Sequence, residues 1–253
     1  MKLVLLRILE QQRALYDQPR GMARFRDYLR QMTGGGDDIV LPIVGMNPMG
    51  KEKAKAAYDA LLTCHAEDVA AEALAQAEQR LDEGPGELRV ALVVQDDAEG
   101  AWSQAETLES VHWQSDASAR RGFAPVHFLS SRAPYDAAAI RRATLESVYR
   151  IAHIRRHGTP RSLRDVMGLE GGASRFAGAT PALDEAALRE ARAVLAAHLD
   201  AVAWPTIFAA MYGDGSARAW GHRPLGLPPR AGFEVALDDA WAGGAGEGSP
   251  QAI

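Results

Sequence analysis

The chain has 253 residues, 47% of them hydrophobic and 24% charged, which is ordinary for a globular protein able to bury a substantial core. Its formal net charge of -5 argues against a general nucleic-acid binder, which usually carries a basic excess over the whole domain. The single cysteine, Cys64, excludes an internal disulfide and a zinc site built on several thiolates, and fits a cytoplasmic setting.

The first nine residues are apolar, but Arg7 and Glu10 interrupt them before a signal peptide is reached, and no later run approaches the ~20 apolar residues that span a bilayer. Leu5, Ile8, Leu9, Gln12 and Leu15 keep helical spacing and predict an amphipathic helix ending before Pro19. A second helix is expected over 22–32, so that residues 1–32 form a helical pair. This pair is locally basic, with Lys2, Arg7, Arg13, Arg20, Arg24, Arg26 and Arg30 against Glu10, Asp17 and Asp27. Three glycines at 34–36 break the chain, and the apolar, β-branched stretch 39–44 reads as a strand. Asn47 and Pro48 then supply an N-cap and a first-turn proline for a helix to about 62, followed by an alanine-rich helix over 67–81.

Residues 88–94 make the clearest strand, apolar but for Arg89 and expected at the centre of a sheet, with Asp96 and Asp97 at its carboxyl end. Residues 102–113 fit helix or strand, 124–129 a third strand, and 136–157 a long helix closed by Gly158. Helices from about 160, over 184–199 and after Pro205 precede a proline-rich loop at 222–232 and a flexible tail at 243–253. The expected fold is α/β or α+β: one mainly helical domain over 1–242 around a small sheet of three or more strands. The alanine-, arginine-, glycine- and proline-rich usage reads as that of a high-GC bacterial genome.

Four constellations bear on function. Gly45 to Lys51 has the glycine and lysine spacing of a phosphate-binding P-loop, but Glu52 stands where a magnesium-binding Ser or Thr belongs and Pro48 has no amide. That spacing leaves anion binding at a helix start, with Lys51 as a ligand-binding residue, and disfavours nucleotide hydrolysis. Glu146, Arg150, His153 and His157 gather, at 100° per residue, into a helical stripe roughly 60° wide, on which two histidines and a carboxylate could hold one divalent transition metal ion. The intervening arginine opposes a cation there. Glu109 and His112 give one copy of a Glu-x-x-His motif that di-metal bundles use twice, so His112 stands as an outside ligand for the same metal. An arginine run from Arg141 to Arg164 suits an anionic ligand or a solvated face, and Trp102, near the end of the best strand, is the first aromatic to suspect at a ligand.

Two readings follow. In the first, the protein is an enzyme or small-molecule binder with Asp96, Asp97 and Glu146 as catalytic groups, Trp102, Lys51 and Arg150 on the ligand, and His112, His153 and His157 on a metal used for hydrolysis. In the second, it is a non-catalytic protein whose basic N-terminal helices or arginine-rich helix dock an acidic partner or another copy of the chain. Both exclude a membrane, and both disfavour nucleic acid as partner.

Overall fold

A computed structural model describes residues 1–81, 86–98, 104–114 and 116–244. The contacts of the chain cluster into two compact units, one over Met1–Ile151 and one from Ala152 onward. All three strands lie in the first: β1 (Lys2–Leu5), β2 (Glu87–Gln95) and β3 (Phe123–Leu129) form a parallel sheet in the order β1-β2-β3. The expected α/β architecture, mainly helical around a small sheet, is the one observed.

Parallel strands need long crossovers. The first crossover carries α1 (Leu9–Ala14), a turn of 3-10 helix at Leu15–Asp17, α2 (Met22–Thr33), α3 (Glu52–Thr63) and α4 (Ala66–Arg80). The second carries α5 (Ala105–Ser110), a 3-10 turn at Val111–Gln114 and α6 (Asp116–Arg121). After β3 comes α7 (Ala137–His157), within which the two units meet in sequence. In β2, Leu88 and every residue from Val90 to Gln95 are buried, as the apolar run Val90–Val94 foretold for most of them. Each of Val90, Leu92 and Val94 contributes about 1.5–3 kcal/mol through that burial.

The start of the chain departs from expectation. Residues 2–5 form β1 rather than the first turn of a helix, because their backbone pairs with Glu87 to Val90. The last ladder contact is Leu6 N–H donating to Val90 O at 2.7 Å, after which α1 begins at Leu9. The strand expected at 39–44 is also absent. Val40 and Leu41 both donate their N–H groups to Met32 O at the end of α2, at 2.9 and 3.2 Å, and Pro42 has none to give. The backbone donors of this apolar stretch are thus spent on a helix terminus instead of a ladder.

In the second unit, α8 (Leu163–Phe176), α9 (Glu185–Ala196), α10 (Trp204–Tyr212), α11 (Asp214–Ala219) and α12 (Ala231–Gly244) follow one another. The helix α8 begins with a capping box in which Ser162 and Asp165 satisfy each other's backbone, and Asp184 caps α9. The helices α8 and α12 touch backbone to backbone: a Cβ on Gly171 would lie 2.1 Å from Ala236 O. Gly232, where α12 starts, is pressed onto α10 in the same way, with Ala210 O at 2.6 Å. Phe208 centres an aromatic cluster, with Tyr212 at 4.8 Å, His222 at 5.4 Å and Trp220 at 5.9 Å between ring centroids. No helix among the described residues is long and apolar enough to cross a membrane.

Candidate functional site

The carboxyl end of β2 extends beyond the end of β1, which leaves its backbone there without a strand neighbour on that side. Side chains take the strand's place. The Gln12 amide of α1 donates to Leu92 O at 2.8 Å, Val94 N–H donates to the Tyr58 hydroxyl of α3 at 3.3 Å, and Tyr58 in turn donates to Gln12 Oε1 at 2.9 Å. Gln12 and Tyr58 are both essentially inaccessible, so this small network is satisfied in full where an unmet group would be costly. It fixes α1 and α3 against the strand immediately before Asp96.

Asp96 and Asp97 have different tasks. Asp97 is bound into the turn after β3: its carboxylate accepts from Ser131 N–H at 2.8 Å and from the Ser131 hydroxyl at 2.5 Å. Asp96 accepts from the Ser130 hydroxyl at 3.3 Å and from the Asn47 amide at 3.2 Å, and no cation pairs with it among the described residues. A half-exposed carboxylate held by two neutral donors keeps lone pairs for something else.

Asn47 belongs to the near P-loop. It does not cap a helix with Pro48 in the first turn, as its sequence suggests: α3 starts at Glu52, with Lys51 in the capping position and no side-chain cap. The Asn47 Oδ1 instead accepts from Met49 N–H at 2.9 Å, and Gly50 N–H donates to Asn47 O at 2.9 Å. This is a side-chain-stabilised turn, and it sits on the strand end. A Cβ on Gly50 would meet Asp96 Oδ2 at 3.1 Å, and one on Gly45 would meet His127 Nε2 at 2.7 Å. Glycine at these two places lets the turn lie against Asp96 and β3.

Two residues that sequence reading did not single out complete the region. Tyr16 donates its hydroxyl to Asn47 O at 2.7 Å, and the Arg24 guanidinium lies 4.1 Å from the centre of the Tyr16 ring. Arg24 is only 3% exposed. It makes one long hydrogen bond, to Gly50 O at 3.4 Å, its Nε has no partner, and no carboxylate pairs with it among the described residues. Burial draws its pKa down, with Tyr16 opposing; burial raises that of Tyr16, which Arg24 lowers and Asp96 raises. The loop from Gly45 to Lys51 thus touches a carboxylate and a buried guanidinium, neither of which forms an ion pair among the described residues. Their sequence separation, with Arg24 inside a helix of other arginines, left no local signal for the second.

The remaining candidates fall elsewhere. Lys51 is exposed at the start of α3. Glu146 and Arg150 pair with each other on α7 at 3.2 Å, both largely buried. Arg150 also acts on His127, whose imidazole is lowered to about 4 by burial first and by this arginine second. His153 and His157 lie with ring centroids 4.5 Å apart in the second unit. Burial and the neighbouring His157 draw His153 down from its ordinary value. Among the described residues no group of three or more His, Cys, Asp or Glu side chains is placed to hold a metal ion. His112 falls in the 3-10 turn Val111–Gln114 without a described side chain, and Trp102 lies outside the described residues.

No family model, curated protein or solved structure matches this chain. Much of the N-terminal basic charge is answered locally: Arg7 by Asp68 at 2.7 Å, Arg13 by Asp17 at 2.5 Å and Asp59 at 2.6 Å, Arg30 by Asp27 at 2.7 Å. These pairs leave the basic helices a weaker docking surface than their composition suggests. Cys64 is half-buried, its Sγ–H donating to Leu61 O at 3.3 Å, and burial pushes its thiol up, away from nucleophilic use.

Proposed function

We propose that the first unit binds a small anionic ligand over the carboxyl end of β2, and that Asp96 is the group that engages its reacting or recognised hydroxyl. The observation that carries this reading is a guanidinium and a carboxylate on one turn, neither in an ion pair among the described residues: Arg24 at Gly50 O and Asp96 at Asn47 Nδ2. Arg24 stacks on Tyr16 and feels Glu52, but it has no ion-pair partner among the described residues, and a buried guanidinium gains from an anion brought close to it. An anionic group at the start of α3 would meet Lys51, the positive end of the helix dipole and the field of Arg24, with Glu52 in the same turn opposing it. A hydroxyl of the same ligand would meet the Asp96 carboxylate, which could accept its proton if chemistry follows. The position also agrees with the general tendency of open parallel sheets to bind ligands beyond the carboxyl ends of their strands.

Thermal-shift titration with inorganic phosphate and with glycerol 3-phosphate tests this. Both should raise the Tm of the wild-type protein, the polyol phosphate more; Lys51→Ala should weaken both responses, and Asp96→Asn should remove only the advantage of the polyol. Equal responses from all three proteins would sink the assignment.

A further inference from the structure

The second unit carries a pocket of its own. Its volume is about 310 Å³, and His198, Pro205, Thr206, Arg223, Pro224 and Leu225 line it. The polar members come from three separate pieces of chain. His198 follows the end of α9, Thr206 is in the first turn of α10, and Arg223 is in the loop between α11 and α12. None of their side chains makes a hydrogen bond or ion pair to another described residue, and no carboxylate is in the lining.

The wall that holds Arg223 is fixed by a carboxylate already fully engaged. Asp214 Oδ1 accepts from Leu225 N–H at 2.9 Å, Gly226 N–H at 2.9 Å and Leu227 N–H at 3.1 Å, while Oδ2 pairs with Arg218 at 3.2 Å. Asp214 therefore shapes the loop without neutralising Arg223. What remains is a guanidinium, an imidazole and a hydroxyl around a concave space whose other walls are two prolines and a leucine. A guanidinium with an imidazole and a hydroxyl beside flat apolar surface matches a ligand with a carboxylate at one end and an apolar body at the other.

We infer that this pocket binds a small organic acid, its carboxylate on Arg223, His198 and Thr206 and its apolar body on Pro205, Pro224 and Leu225. The site is separate from the turn at Asp96 and does not depend on that assignment.

The test is an amide-resolved NMR titration of the whole chain with sodium benzoate and, in parallel, sodium phosphate. Benzoate should saturate with a Kd on the order of millimolar or tighter, shifting the amides of Thr206, Leu225 and Gly226 and the ring resonances of His198. Arg223→Ala, a change at an exposed side chain, should weaken benzoate about tenfold, and Thr206→Val should weaken it to a lesser degree. Phosphate should bind more weakly, since it leaves the apolar walls uncovered. The inference is overturned if benzoate produces no saturable shift at these residues, if Arg223→Ala with an otherwise unchanged spectrum binds it as tightly as wild type, or if phosphate is preferred.

Discussion

In the first unit, backbone groups of β2 that no strand reaches are met by Gln12 and Tyr58, and a turn is tied down by Asp96. In the second, α8 and α12 approach until Gly171 and Ala236 O leave no space for a methyl group. One region is held in register by buried hydrogen bonds and charge, the other by small residues that let helices close. The contrast matters for function: polar groups committed to structure can be turned toward a ligand at little structural change, whereas a helix crossing built on glycine has no chemistry to lend. The pocket of the second unit is accordingly lined from the end of α9, the start of α10 and the loop before α12, away from the tightest helix contact.

The largest effect should come from Gly171→Val. The added atoms meet a backbone carbonyl that cannot rotate away, and we expect a loss of at least about 3 kcal/mol in urea-unfolding stability. A loss below 1 kcal/mol would show that α8 and α12 can separate without harm. Next comes the acid limb of stability. His127 titrates near 4 when folded and near 6.5 as a free imidazole, so between those values the unfolded chain holds more protons and folding weakens as pH falls. Stability should rise by up to about 3 kcal/mol from pH 4 to 6.5 and then level off with respect to this group. His127→Gln should flatten that limb; an unchanged slope would place the acid sensitivity elsewhere.

A smaller cost is expected from Gln12→Leu, which strands Leu92 O and removes the acceptor of the Tyr58 hydroxyl. About 2 kcal/mol should be lost, with Tyr58→Phe close behind, and the two losses should not add because they break one network. Full additivity in the double mutant would separate them. The smallest effect belongs to Arg192→Ala, whose pairing with Asp238 and Asp239 at 2.7 and 2.6 Å spans α9 and α12 at the surface. Less than about 1 kcal/mol should be lost; a larger loss would mean that charge, too, holds the second unit.

How far the sequence reveals this molecule depends on how local each signal is. The strand at β2 announces itself because Val90 to Val94 is buried on both faces and is an unbroken apolar run. By contrast β1 is four residues long and flows into residues with helical spacing, which hides it. The false strand at 39–44 has the right composition but gives its amides to the end of α2. The helix α12 went unseen because glycines and prolines bracket it, although its Gly232 serves the contact with α10. At the site, Asp96, Asp97 and Lys51 could be read from their place after a strand and before a helix. Arg24, Tyr16, Gln12 and Tyr58 could not, since each acts through a partner 26 to 80 positions away or across a face that only folding creates.

The side chains that replace a strand along β2 also decide what the sheet can join. An open strand edge is a template for another chain, and Val90 to Val94 is the kind of segment that recruits one. Gln12 and Tyr58 take up Leu92 O and Val94 N–H on that edge. Both belong to helices of the first crossover, so the packing of α1 and α3 that finishes the native fold also covers part of an edge that could otherwise recruit another chain.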